Sequence, residues 1–134
     1  MPIQVRGLAP LLEIFDMSTS VAWYCDKLGF ELVARSQPGF GWAMLELDGT
    51  QLMLNTAYDD DERPTVPDPT RTKGHADTTI YFGCPDVDAA YEHLVANGVN
   101  VKKPSITGYG FKAITVTDPD GFKLCFHWRV EEQQ

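Results

Sequence analysis

Cys125 and His127 lie two residues apart near the end of the chain and are the side chains best suited to nucleophilic chemistry. A cysteine attacks as its thiolate, and a histidine within hydrogen-bonding distance can take the proton. On a β-strand, however, residues two apart share a face at about 6–7 Å, too far for a direct hydrogen bond. We therefore interpret Cys125 as an unreactive thiol that fills space. His127 contacts a ligand or acts as a general base, or it has a hydrogen-bonded structural role.

Two carboxylates could also take part in chemistry. Glu13 and Glu46 could hold a cationic ligand, act as a base, or join with His127 in an unusual metal site. Alternatively, Lys112 or Lys123 pairs with one of these carboxylates, which contributes little to stability at a surface.

The composition limits the partners of these residues. The 134 residues fit a single domain, 1–134. No segment approaches the roughly 20 apolar residues of a membrane span, and no apolar run follows a basic stretch at the N-terminus, so we expect no membrane segment and no secretory signal. The net charge of −8 argues against nucleic acid and leaves room for a cationic ligand. Three cysteines, an odd number, indicate reduced thiols in the cytoplasm.

An internal repeat at an offset of 70 residues must position the candidate residues. Asp16 and Asp86 correspond at this offset, and each precedes a segment whose apolar residues recur at helical spacing. Aspartate is a good N-cap residue, because its carboxylate accepts hydrogen bonds from amides of the first turn. Gly29 and Gly98 lie where each helix would end in a left-handed residue, with the offset slipping to 69. We therefore predict one amphipathic helix in each half.

Strand patterns repeat in the same order. Residues 43–48 (AMLELD) correspond to residues 113–118 (AITVTD), and a hairpin turn follows each. Each half is therefore predicted as a strand, a helix and three strands, over residues of about 5–56 and about 75–129. Residues 57–74 are acidic and proline-rich and too polar for a core element; we predict a plain connector, with a lid over a site as the alternative. His75, placed at the start of the fifth strand, is expected to make a cap or linker contact.

Strand alternation separates the side chains of the predicted sheets into two faces. One face is almost entirely apolar, and we assign it to the side that the helices cover; it includes Leu12, Ile14, Ala43, Leu45, Leu52, Leu54, Ala113, Leu124 and Phe126. The other face is mixed, and the predicted pairs on it are Glu46 with Gln51, Met44 with Met53, Trp42 with Asn55, Ile114 with Cys125, and Lys112 with His127. Aromatic and apolar surface with a few polar groups is typical of a ligand cleft. The alternatives are a dimer interface or a solvent-exposed face.

The repeat and its motifs resemble those of the vicinal oxygen chelate superfamily, which contains glyoxalases, bleomycin-resistance proteins and dioxygenases. The resemblance rests on FDMSTSVAWYCDKLGFELV in the first half, and on PDVDAAYEHLVANGV and DPDGFKLCF in the second. It implies an α+β fold in which two βαβββ modules curl their mixed sheets around a cleft. It also implies a homodimer, as do the open sheet edges that two small modules would leave.

The positions that hold a divalent cation in metal-dependent members of this family fall on unsuitable residues here. They are Ala9, Met53, Thr79 and Cys125, which form two repeat-related pairs. Alanine offers no donor, and a thioether, a hydroxyl and one thiol would not hold an oxygen-loving cation. The resemblance is therefore closer to the bleomycin-resistance type, and we expect no metal and no cofactor.

The resulting hypothesis is a metal-independent protein that binds and sequesters a small aromatic or cationic ligand. Its predicted ligand-binding residues are Glu13, Trp42, Met44, Glu46, Met53, Asn55, Tyr81, Lys112, Cys125 and His127. The alternative is a lyase, isomerase or dioxygenase of the same fold that uses a displaced metal or a general base. A third possibility is a dimeric interaction module without a small ligand.

Overall fold

The first half of the chain forms a strand, a helix and three further strands, as the repeat predicts. The computed structural model describes residues 2–37, 39–59 and 61–130. The helix begins as α-helix and continues directly as a π-helical segment that ends at Gly29, whose φ of 94° is left-handed as predicted. The elements are β1 (Leu11–Ile14), α1 (Met17–Ala22), the π-helical segment (Trp23–Leu28), β2 (Glu31–Arg35), β3 (Trp42–Leu47) and β4 (Thr50–Thr56).

The second half repeats this order after a short intervening helix. Its helix begins after Asp86, whose carboxylate accepts a hydrogen bond from the amide of Ala89 at 3.0 Å, as expected of an N-cap. Asp16 occupies the corresponding cap position, but its carboxylate accepts from the Thr19 hydroxyl instead of an amide. The elements are α2 (Pro69–His75), β5 (Thr79–Gly83), α3 (Val87–Ala96), β6 (Ser105–Ile106), β7 (Phe111–Thr117) and β8 (Lys123–Arg129).

The strands form two mixed sheets of the same topology. Their orders are β1-β4-β3-β2 and β5-β8-β7-β6, with the first pair of each sheet parallel and the other pairs antiparallel. In the first sheet, Met44 pairs with Met53 and Trp42 with Asn55, as predicted. Asp48 and Gly49, both with positive φ, form the two-residue turn that sets this register.

The predicted register of the second hairpin is wrong by one residue. Cys125 lies opposite Thr115, and His127 lies opposite Ala113, whereas Ile114 lies opposite Phe126. The turn closes around three residues, because the amide of Asp118 bonds to the carbonyl of Phe122, whereas the predicted pairs require a turn of four residues, 118–121. A shift of one residue exchanges the two faces of a strand. The helix-covered positions of β7 are therefore the bulkier Ile114 and Val116, both buried, and not Ala113 and Thr115.

The helix-covered faces of both sheets share one hydrophobic core. The π-helical segment contacts α3, and Phe30 of the first half packs edge-on against Phe82 of the second at 6.3 Å. Burial of such side chains contributes about 1.5–3 kcal/mol each. The largest fully buried apolar side chains are Ile14, Tyr24, Leu45, Leu52, Leu54, Val87, Val116 and Leu124.

Two buried carboxylates in the β7–β8 turn join the halves. Asp118 accepts a hydrogen bond of 2.6 Å from the Tyr24 hydroxyl, and Asp120 accepts bonds from the Phe15 amide at 2.7 Å and the Ser20 hydroxyl at 3.1 Å. Buried charges are tolerated where hydrogen bonds satisfy them. The halves are therefore connected from their helix sides, and the mixed faces of the sheets point away from this junction.

The segment predicted to be a plain connector contains helix α2, which the sequence analysis did not predict. Asp68 caps it by accepting from the Thr70 amide at 2.9 Å, and Pro69 occupies its first turn. His75 lies at the end of α2 and not at the start of β5; its ring stacks on Phe122 at 4.0 Å, and its Nδ1 lies 2.6 Å from the carbonyl oxygen of Asp120. The His75 side chain therefore contacts the β7–β8 turn, whereas a contact with a cap or with the linker was predicted. No helix in the described ranges is long and apolar enough to cross a membrane.

Candidate functional site

Six of the predicted site residues lie together on the mixed face of the first sheet. Alternation along the strands places them opposite the buried residues Ala43, Leu45 and Leu54. The amide nitrogen of Asn55 donates to Glu13 at 2.9 Å, which holds both polar groups in place. The six residues are Glu13, Trp42, Met44, Glu46, Met53 and Asn55. This face combines an indole, two flexible thioethers and two carboxylates, which suits an aromatic molecule with polar substituents.

Three further predicted residues lie on the mixed face of the second sheet. Tyr81 lies opposite Cys125, and the His127 ring lies between two aromatic rings. Its ring is 4.8 Å from that of Phe111 in a stacked arrangement and 5.0 Å from that of Tyr81 in an edge-on one. Tyr109 adds another ring, 5.8 Å from Phe111. These rings give the face flat apolar surface.

Lys112 does not belong to this face, and its predicted place there is wrong. The one-residue shift of the hairpin puts it opposite Trp128, on the side that the helices cover. Its ammonium group bonds to the carboxylate of Asp88 on α3 at 2.6 Å. Lys112 therefore pairs neither with Glu13 nor with Glu46, which were its predicted alternatives.

His127 carries an unpaired polar atom. Its Nδ1 is buried and has no hydrogen-bond partner among the residues that the structure describes. A buried polar atom without a partner costs about 1–3 kcal/mol. This nitrogen is therefore an unsatisfied polar atom inside the protein, and the sequence alone contained no signal of it.

Cys125 is buried, with 4% of its surface exposed. Burial raises the pKa of its thiol by more than the hydrogen bond with Thr115 lowers it. Since the thiolate is the nucleophilic form, the thiol is poorly suited to attack at neutral pH.

The residues at the family's metal positions do not fit a divalent cation. Ala9 has no donor, Met53 offers a thioether, Thr79 an exposed hydroxyl, and Cys125 a buried thiol whose proton is held tightly. Nor are Glu13, Glu46 and His127 brought together into an unusual site. Within the described ranges, the acidic group close enough to share an ion is the exposed set Asp59, Asp61 and Glu62 of the connecting segment.

A cavity of about 480 Å³ lies over the mixed face of the second sheet. Its walls come from that sheet, from the segment before β6 and from the β6–β7 loop, and no first-sheet residue lines it. Lys102, Lys103, Ser105, Thr107 and Tyr109 belong to it although the sequence analysis did not select them. A segment without periodicity gives no sign of which way its side chains point.

Comparison with known proteins agrees with this architecture. A bleomycin resistance protein of Geobacillus stearothermophilus is 26% identical over 129 residues, which cover 91% of this chain and 96% of the relative. The uncharacterized protein YaeR of Escherichia coli strain K12 is 31% identical over 114 residues, covering 81% of this chain and 84% of YaeR.

Solved structures show the same fold. A bleomycin-binding protein complexed with bleomycin superposes with a TM-score of 0.73 at 19% identity, covering 93% of this chain and 99% of the other. TnmS3, an antibiotic binding protein from Streptomyces sp. CB03234, superposes with a TM-score of 0.70 at 24% identity, covering 96% and 98%. The sequence profile of one superfamily matches residues 11–126. The chain therefore belongs to the Glyoxalase/Bleomycin resistance protein/Dioxygenase superfamily.

Proposed function

We propose that the protein binds a small aromatic molecule in a cleft and sequesters it without a metal ion and without catalysis. Two features together carry this proposal. The mixed faces present aromatic, thioether and polar side chains, and all four metal positions hold residues that are unsuitable as ligands of a divalent cation. Stacking of a ligand on a ring such as Trp42 or Tyr81 contributes about 0.5–2 kcal/mol. The bleomycin resistance proteins among its relatives, and the relative solved with bleomycin, support binding as the class of function.

We further propose that the cleft is completed by a second copy of the chain. Within one chain the two mixed faces belong to separate sheets that are joined from their helix sides. Tyr81 is 53% exposed and Leu11 45%, so aromatic and apolar surface on both faces lacks a cover. A two-fold dimer that lays the first sheet of one copy over the second sheet of the other would cover both faces and form two equal clefts. The three free cysteines favour a reducing compartment, the cytoplasm.

Tryptophan fluorescence tests the ligand-binding function. Titration with a panel of planar aromatic compounds of positive, neutral and negative charge is expected to quench the fluorescence saturably for part of the panel. Trp42→Phe should remove most of the quenching and weaken binding about fivefold, because the indole supplies contact area. Trp23→Phe, in the π-helical segment and packed against Tyr24 at 5.0 Å, is the matched control and should leave the affinity unchanged. Equal affinity of the Trp42 variant and the native protein would disprove the cleft.

A second candidate is a metal-free lyase or isomerase with His127 as its general base. The unpaired Nδ1 of His127 favours it, because a base needs a free nitrogen lone pair. Conversion of a bound compound by the native protein, lost in His127→Gln while binding persists, would establish this function in place of sequestration.

A further inference from the structure

The cavity over the second sheet is basic in an otherwise acidic protein. The chain has a net charge of −8 and six lysines, and three of them, Lys102, Lys103 and Lys123, line this cavity. Lys102 and Lys103 come from the segment between α3 and β6, whereas Lys123 begins β8 beside Thr79 and Thr117. Two separate parts of the chain thus contribute lysine residues to the walls of one space.

These lysines are not neutralised within the described part of the chain. No carboxylate is among the residues that line the cavity, and none of the three ammonium groups has a hydrogen bond or an ion pair with a described residue. Lys112 is the contrasting case, because its ammonium group contacts Asp88. The three unpaired positive charges around one cavity repel each other and attract a negatively charged group. An anion bound there would offset the repulsion between the lysines.

The remaining walls offer the other contacts that such a ligand needs. Hydroxyl groups of Ser105 and Thr107 can donate hydrogen bonds to an oxyanion. Tyr81 and Tyr109 provide ring surface on the same cavity, and the neighbouring Tyr109 phenol raises the pKa of Tyr81. Cationic groups, hydroxyl donors and rings therefore converge on one space of about 480 Å³, enough for a molecule of drug size.

We propose that the ligand of this protein is an aromatic molecule with an anionic group, a carboxylate or a phosphate, which Lys102, Lys103 and Lys123 hold beside Tyr81 and Tyr109. This inference rests on the proposed function and specifies the chemistry of its ligand. It replaces the cationic ligand that the net charge alone allowed, because the charge of the whole chain is not the charge of the site. Within one chain, the acidic groups of the first-sheet face, Glu13 and Glu46, do not line this cavity, although the proposed dimer would lay the first-sheet face of the second copy over it.

Four probes that share the naphthalene ring system and differ in charge test the proposal by equilibrium dialysis. They are 2-naphthoate, 2-naphthyl phosphate, the neutral 2-naphthamide and the cationic 2-naphthylmethylamine. At low ionic strength at least one anionic probe should bind about tenfold more tightly than the neutral one, since each lysine contributes a modest ion pair. The cationic probe should bind most weakly, and the preference should shrink in 0.5 M salt because ions screen exposed charges. The ratio of the two anionic probes distinguishes carboxylate from phosphate recognition.

A double variant, Lys103→Gln with Lys123→Gln, should remove most of the anion preference and leave the affinity for 2-naphthamide unchanged. Lys73→Gln is the matched control, since Lys73 lies exposed on α2 outside the cavity, and it should change no affinity. Equal affinity for all charges, or an anion preference that survives the double variant, would overturn the inference and leave the sequestering function standing. Failure of every probe to bind would overturn both. If the double variant weakens dimerisation and leaves anion affinity unchanged, the lysines serve a partner's carboxylates and the inference is wrong.

Discussion

The Tyr24 hydroxyl donates a hydrogen bond of 2.6 Å to Oδ2 of Asp118, which joins the helix of the first half to the β7–β8 turn of the second. Both side chains are buried, with Tyr24 fully enclosed and Asp118 5% exposed. The other oxygen of Asp118 accepts from the amides of Asp120 and Phe122. The carboxylate therefore holds the turn in shape and holds the turn to the helix.

Tyr24→Phe should lower the free energy of unfolding by about 1–3 kcal/mol, because it leaves one oxygen of a buried carboxylate without its partner. Urea unfolding followed by far-UV circular dichroism measures this loss. Tyr91→Phe is the control, since Tyr91 is only partly buried and packs against the same core. An equal effect of the two substitutions would mean that the hydrogen bond to Asp118 contributes nothing of its own.

Burial is the largest cause of the raised pKa of both Asp118 and Asp120. A carboxyl group whose pKa is higher in the folded state than in the unfolded state binds protons more tightly when folded. Its contribution to stability is therefore present at low pH and is lost as the pH rises from about 3.8 through the raised value. Asp118→Asn should make the free energy of unfolding fall less steeply with pH. The stability of the variant relative to the native protein should therefore increase as the pH rises over that window. Urea titrations at successive pH values test it, and a difference that stays constant with pH would contradict the assignment.

Two constraints at position 121 favour glycine: a positive φ and the close approach of another backbone segment. Its φ is 92°, and a Cβ at this position would collide with the carbonyl oxygen of Thr72 in α2. Gly121→Ala should therefore lower the free energy of unfolding by more than the roughly 1 kcal/mol that a positive φ alone costs. Gly49→Ala separates the two effects, because Gly49 has a φ of 81° and open space around it. Thermal unfolding of both variants gives the comparison, and equal losses would exclude a role for the contact with α2.

The faces of the first sheet were predictable because the Asp48-Gly49 turn allows a single register. The faces of the second sheet could not be predicted in this way, since the turn at Asp118-Pro-Asp-Gly121 can close around three or four residues. Only the packing of Ile114 and Val116 decides between these two turn lengths. That choice determined where Lys112 points. Pattern reasoning therefore selected residues correctly where a local turn fixes the register, and failed where tertiary packing fixes it.

Helix α2 and the burial of two turn carboxylates could not be predicted from sequence patterns, for a different reason. Helix α2 has seven residues and no buried side chain, so its docking against Gly121 and Phe122 leaves no apolar periodicity in the sequence. Asp118 and Asp120 looked like ordinary turn residues, since carboxylates are rarely buried. Their hydrogen bonds come from residues about 100 positions away, a distance over which a single sequence shows no pairing.

The donor chemistry at Ala9, Met53, Thr79 and Cys125 predicts how the protein responds to metal ions. Addition of Mn²⁺, Ni²⁺ or Zn²⁺ at ten times the protein concentration should leave the thermal unfolding midpoint unchanged, because an ion that does not bind the folded state cannot stabilise it. After dialysis, elemental analysis should find none of these metals, nor iron, in stoichiometric amount. A retained metal, with a midpoint that rises on its addition, would move the protein to the catalytic members of the superfamily.

The dimeric cleft can be tested by mixing two defective variants. Trp42→Ala damages the first-sheet face, and Tyr81→Ala damages the second-sheet face. If each cleft combines the first sheet of one copy with the second sheet of the other, a mixed dimer has one cleft with both defects and one intact cleft. Half of the dimers in an equilibrated equal mixture are mixed, so about a quarter of all clefts should bind with native affinity, although neither variant does so alone. Exchange with a labelled native chain controls for subunit mixing. If exchange occurs and no native sites return in calorimetric titration, both faces of a cleft come from one chain.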